Sequence, residues 1–144
     1  MIVVADASVL VVALGDDSQV GQRARDLLVE LSDGSRLSIV RNLTPLEVMS
    51  AFRRLVQLEK LDPRVAATLT SRFASLPVDR HDLTQPMMAR IWEMRANLST
   101  YDAAYVALLE SLIAEQLADG VLVTTDRRLA GAPKLSVDVR VFSG

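Results

Sequence analysis

The chain of 144 residues has no cysteine, one histidine, and few aromatic residues, which make up 4% of it. The absence of cysteine excludes disulfides, thiolate zinc sites and cysteine nucleophiles, and it fits a cytoplasmic protein. A single histidine, His81, excludes a two-histidine ribonuclease mechanism and reads as a loop residue. No apolar run reaches the roughly 18 residues of a membrane span. The start, Ile2-Val3-Val4-Ala5 followed by Asp6, lacks the basic stretch and cleavage site of a signal peptide. No P-loop, G-x-G-x-x-G or G-x-S-x-G motif occurs, and no internal repeat. Lysine is scarce too: of 16 basic residues only Lys60 and Lys134 are lysine, and the other 14 are arginine. Arginine suits bidentate phosphate contacts, and genomic base composition produces the same bias. The net charge of −2 does not advertise nucleic-acid binding.

What is present is aliphatic, with half the residues hydrophobic, enough for one domain over residues 1–144 with a substantial core. Strand-like runs alternate with helical spacing. Strands are expected at Ile2–Ala5, Leu37–Val40, Val121–Thr124 and Val137–Phe142, with a weak edge strand at Leu76-Pro77-Val78, where the proline disfavours a central place. Helices are expected over Ala7–Leu14, from Val20 to a stop at Asp33-Gly34-Ser35, from Thr44-Pro45, from Asp62-Pro63, from about Pro86, and from Ser99 to about Ala118. A short helical turn follows over Asp126–Ala130. The helix after Thr44 presents Val48, Phe52, Leu55 and Val56, and the next presents Val65, Leu69 and Phe73. Met88, Ile91 and Trp92 read as core or dimer packing. The expected fold is α/β: a central, mostly parallel sheet with helices on both faces and right-handed crossovers.

Four carboxylates then stand out: Asp6, Glu47, Asp102 and Asp126. Each has a structural reading. Asp6 and Asp126 follow strands and can cap the helices behind them. Thr44-Pro45-Leu46-Glu47 matches a T-x-x-E capping box, with Leu43 and Val48 placed as its staple, and Ser99-Thr100-Tyr101-Asp102 matches S-x-x-D. The joint arrangement favours function. Strand carboxyl ends, and the N-termini of helices that leave or feed parallel strands, lie on one edge of the sheet, where α/β proteins bind ligands. Clustered carboxylates repel, a bound cation removes that penalty, and oxygen-only ligands suit Mg²⁺ or Mn²⁺.

The stretches Val3–Leu10, Thr44–Val48, Leu98–Leu108 and Leu122–Ala130 resemble, in order and spacing, the PIN-domain family, and in particular the VapC-type toxin ribonucleases of toxin–antitoxin pairs. The resemblance covers nearly the whole chain. It implies a PIN-like fold and a Mg²⁺- or Mn²⁺-dependent endoribonuclease that leaves 5′-phosphate and 3′-hydroxyl ends. Asp6, Glu47, Asp102 and Asp126 match the family's acidic quartet. Asp6, Asp102 and Asp126 are the expected metal ligands, and Glu47 is a ligand or a water-orienting base. Ser8 and Thr124 or Thr125 fall where small hydroxyl residues flank the site. Phosphate contacts are expected from among Arg41, Arg53, Arg54, Arg95, Arg127 and Arg128. The implied partners are RNA and a cognate VapB-type antitoxin, which inserts a C-terminal segment into the groove, with a homodimer or larger complex and no membrane. Two other readings stand beside it: a phosphoacceptor receiver module, for which Lys134 is the only late lysine, and a PIN-like fold that only binds RNA or a partner.

Overall fold

The computed structural model describes residues 1–144. Along the chain run β1 (Ile2–Ala5), α1 (Ala7–Gly15), α2 (Gln19–Ser32), β2 (Ser38–Val40), α3 (Thr44–Gln57) and α4 (Pro63–Ala74). They are followed by β3 (Asp79–His81), α5 (Gln85–Glu93), α6 (Thr100–Gln116), β4 (Gly120–Thr124), α7 (Arg127–Ala130) and β5 (Asp138–Val141). All strand pairs are parallel, in the order β3-β2-β1-β4-β5. The inner strands β1, β2 and β4 are apolar on both sides because helices cover both faces.

The two-residue strand period sorts the core into two layers. Val3, Ala5, Ile39, Val121 and Val123 face α1 to α4, together with Val9, Leu28, Val48, Phe52, Leu69 and Phe73. Val4, Val40 and Leu122 face α5 to α7 and meet Met87, Ile91, Leu108, Leu109 and Leu129. Helix α6 buries an unbroken run from Ala103 to Leu109. Apolar residues on every side mark a helix enclosed all round rather than one with a single buried stripe.

The sheet explains where a site can form. The chain moves outward from β1 through β2 to β3, then crosses by α5 and α6 to the other side of β1, where β4 and β5 lie. The strand order therefore reverses between β1 and β4, and the crevice beyond their carboxyl ends is the topological switch point.

Several expected features move. The weak strand lies at Asp79–His81, not Leu76–Val78. It does occupy the edge, and Pro77 precedes it, so no ladder bond is lost. His81 is accordingly a strand residue, its Nε2 3.0 Å from the Ser38 hydroxyl. Val65 is exposed, and Leu69 and Phe73 alone form the buried stripe of α4. Ile91 is in the core, whereas Met88 and Trp92 point outward, with Arg95 stacked 4.6 Å from the Trp92 ring. Arg95, one of the arginines expected to meet phosphate, makes this surface cation–π contact.

Candidate active site

Asp6 is the residue after β1, and its backbone N–H still pairs with Val123 of β4 at 3.1 Å. Its carboxylate caps α1, accepting from the Val9 N–H at 3.3 Å. It is only 7% exposed, and burial pushes its proton affinity up. Three donors oppose that. Ser8 donates to Oδ1 at 2.5 Å, Thr124 donates to Oδ2, and Val9 adds its N–H. Ser8 and Thr124 are themselves supported, since the Thr125 N–H donates to Ser8 Oγ at 2.9 Å and the Asp126 N–H to Thr124 Oγ1 at 3.0 Å. Both hydroxyls expected to flank the site are thus turned onto Asp6, and Thr125 takes part through its backbone. One small network ties β1, α1 and the end of β4 together.

Glu47 lies in the first turn of α3, but the expected capping box does not form. Thr44 is already helical, and the N-cap is Leu43, which has no side-chain bond to offer. The staple fails for the same reason. The Thr44 hydroxyl is taken by tertiary partners. It accepts from the Val40 N–H at the end of β2 (3.1 Å) and lies 3.0 Å from the Tyr105 hydroxyl. Glu47 accepts from that tyrosine instead, with Tyr105 Oη 2.5 Å from Oε1. Burial raises the Glu47 pKa, the tyrosine bond lowers it, and the charges of Asp6 and Asp102 raise it again.

Asp102 stands in the first turn of α6. Ser99 caps that helix by accepting from the Asp102 N–H at 3.1 Å. The carboxylate is half-buried, and burial raises its pKa; Asp126 raises it further, while the Ser99 hydroxyl and Arg128 favour the ionised form. Asp126 follows β4 and caps α7 through the Arg128 N–H at 2.9 Å. Arg128 also lies 3.5 Å from it and is almost fully exposed. Asp102 and Asp126 line a shallow cleft of about 320 Å³ with Asn97, Ser99 and Arg128. A larger cavity of about 470 Å³ lies at the other edge of the sheet, beside Met1, Ser38 and Asp79. That edge carries strand N-termini, whereas ligands of open α/β sheets enter at the carboxyl ends, so size does not choose the site.

All four carboxylates therefore share one sheet edge, from four separate elements. Three of them feel a neighbour's negative charge: Asp6 that of Asp102, Glu47 that of Asp6 and Asp102, and Asp102 that of Asp126. No three acidic or histidine side chains converge as a ready-made metal-ligand set. Glu47 is bonded to Tyr105, and Asp126 turns back to its own helix. Sequence reasoning missed Thr44 and Tyr105. Their spacing was visible, because each sits three residues from an acidic residue and so on the same helix face.

Among the arginines expected to meet phosphate, Arg41 is paired with Asp82 at 2.9 Å. Arg53, Arg54 and Arg127 make no ion pair.

The fold and the acidic edge define a class, the PIN-domain nucleases. Two solved structures share the fold at low identity: a VapBC2 complex from Rickettsia felis bound to a promoter DNA fragment (TM-score 0.67, 14% identity, 99% of this chain and 100% of that one), and VapC20 of Mycobacterium tuberculosis (TM-score 0.63, 15% identity, 90% and 93%). No family model matches the chain. Curated relatives do. Ribonuclease VapC9 of M. tuberculosis and a VapC ribonuclease of M. bovis are each 36% identical over 139 residues, 96% of this chain and 97% of theirs. Ribonuclease VapC1 of M. tuberculosis is 30% identical over 138 residues, 96% of each chain. The chain belongs to the VapC ribonucleases, the PIN-domain toxins of toxin–antitoxin systems.

Proposed function

We propose that this toxin endoribonuclease is dependent on Mg²⁺ or Mn²⁺ and cleaves RNA phosphodiester bonds through Asp6, Glu47, Asp102 and Asp126, leaving 5′-phosphate and 3′-hydroxyl ends. The carrying observation is that Asp6, Glu47, Asp102 and Asp126, from separate elements, lie at the carboxyl edge of the sheet where the strand order reverses. Three carboxylates from different elements are costly to bring together, and a cation offsets that cost. The donor set fits a hard divalent ion, since every donor is a carboxylate or hydroxyl oxygen. Asp6, Asp102 and Asp126 would hold the ion, with Glu47 a further ligand or a water-orienting base.

When bound, such an ion activates water and neutralises charge on the scissile phosphate. The protein's own residues do the rest. Asp6 is oriented by three donors and has no freedom to turn away. Glu47 spends Oε1 on Tyr105, and Oε2, which makes no bond within the protein, is free to orient a water or accept its proton. Asp102 and Asp126 line the open cleft. Arg53, Arg54, Arg127 and Arg128 are the unburied cations available to phosphate.

The antitoxin is a VapB-type protein, a partner supported by the VapBC2 complex; its C-terminal segment enters this cleft and places a basic side chain against the carboxylates. Exposed Leu46 and Met49 on α3, and Met88 and Trp92 on α5, support a homodimer. No helix is long and apolar enough to cross a membrane. The receiver reading loses ground, since that fold takes the order 2-1-3-4-5, unlike the order here. Purified protein should cleave RNA with Mn²⁺ and stop on EDTA addition. Metal-independent cleavage would sink the proposed chemistry, and no cleavage under any metal would favour a fold that only binds.

A further inference from the structure

Tyr105 and Thr44 are two buried hydroxyl residues that neither the family's acidic quartet nor the capping of α3 explains. Tyr105 is 1% exposed and Thr44 fully buried. The two hydroxyls meet: that of Thr44 accepts from the Val40 N–H, and its only remaining polar neighbour is the Tyr105 hydroxyl at 3.0 Å. The Tyr105 hydroxyl in turn faces Glu47 Oε1 at 2.5 Å. The direction of every bond follows. A backbone amide can only donate, and a carboxylate can only accept. The proton of Thr44 must therefore point to Tyr105, and that of Tyr105 to Glu47. The chain runs one way, from the end of β2 through α3 and α6 to the carboxylate.

We propose that Thr44 and Tyr105 are positioning residues that fix the rotamer of Glu47, leaving Oε2 aimed at the acidic edge. Glu47 is unlike Asp6 here. Asp6 is held by its immediate neighbours in β1, α1 and β4, whereas Glu47 has no local partner, and its helix start has no side-chain cap. Its long side chain would otherwise sample several rotamers. A single buried donor, itself oriented by the backbone of the neighbouring strand, removes that freedom. The relay also links the position of Glu47 to the contact between α6, which carries Asp102, and the end of β2. This inference rests on the metal-dependent reading above.

The test uses the full chain and Mn²⁺ alone, with binding followed by calorimetry and by the Mn²⁺ resonance signal, and cleavage measured separately. Tyr105→Phe keeps the ring and removes the donor. It is expected to weaken Mn²⁺ binding and lower kcat by about tenfold or more with KM little changed, the usual scale for a residue that orients a ligand. Thr44→Val should give a smaller loss in the same direction, and Thr44→Ser, which keeps the hydroxyl, should restore it. The decisive comparison is made in Glu47→Gln. If Tyr105 acts through Glu47, Tyr105→Phe adds no further loss of Mn²⁺ affinity there. An equal loss in both backgrounds, or wild-type Mn²⁺ affinity and kcat in Tyr105→Phe, would overturn the proposal. Should Tyr105→Phe fail to fold, the Thr44→Val and Thr44→Ser pair in both backgrounds decides in the same way. Wild-type binding and cleavage in Glu47→Gln itself would instead remove Glu47 from the site, a different failure from that of the relay.

Discussion

Thr124 does two jobs with one hydroxyl: it donates to Asp6 and accepts from the Asp126 N–H. It is fully buried, so removing the oxygen leaves the Asp126 amide unpaired and Asp6 Oδ2 without its donor. Thr124→Val is expected to cost about 1–3 kcal/mol of stability, read as a lower urea midpoint, and to reduce cleavage by misplacing Asp6. Thr124→Ser should retain both. Equal midpoints for the valine and wild-type proteins would contradict this. The carboxylates also set a pH dependence. In Asp6, Glu47 and Asp102 burial, aided by neighbouring charge, holds the folded pKa above the unfolded one. Between those two values the folded chain keeps protons that the unfolded chain has lost. The metal-free protein therefore loses stability as pH rises through that window. Urea midpoints in EDTA should fall from mildly acidic pH towards neutrality, and Mn²⁺ should recover the loss at neutral pH. A metal-free midpoint that rises over that range would refute this assignment. Asp16 runs the other way, since bonds from Ser18 hold its pKa low, but its effect lies at more acid pH.

Among the elements, α6 ends in a way the sequence does not favour. Its C-cap, Leu117, adopts a left-handed conformation with φ 50° and is 92% exposed. An apolar branched side chain gains nothing there and strains the backbone, whereas asparagine tolerates that region. Leu117→Asn should stabilise by about 0.5–1 kcal/mol, a rise in Tm of about 1–4 °C for a chain of this size, with cleavage unchanged. A fall in Tm would show that the cap is not strained. The elements were legible where local chemistry decides. Asp6, Ser99 and Asp126 cap the helices that their neighbours announce, because an Asx or Ser side chain reaches its own backbone two or three residues on. The Thr44 box was misread because a buried tertiary partner, Tyr105, outcompetes the local bond. The edge strand β3 slipped by a few residues because its exposed, polar residues carry no hydrophobic signal. Of the residues read as core or dimer packing, Ile91 is core while Met88 and Trp92 are exposed, because helical spacing alone does not say which face is covered.

At the scale of the molecule, the crossover from β3 to β4 shapes the acidic edge. It sets Asp126 beside Asp6 and brings the start of α6, with Asp102, to the same edge. The acidic edge was foreseeable from helix direction alone, but the strand order was not, because long-range pairing leaves no local mark. The exposed Met88 and Trp92 face of α5 belongs to this scale too. If it buries a homodimer contact, Trp92→Glu should shift the protein towards monomer in light scattering. An unchanged dimer would move the interface elsewhere.

The most direct measurement is Mn²⁺-dependent cleavage set beside Tm for Asp6→Asn, Glu47→Gln, Asp102→Asn and Asp126→Asn. Each swap removes charge and keeps the side chain's shape and one acceptor oxygen for its cap or partner. The expected result is loss of most cleavage in all four with Tm close to wild type, or raised in Asp102→Asn, where repulsion from Asp126 is relieved. Full activity in all four, or activity falling only in step with Tm, would contradict the claim that the charge of these residues is what the function requires.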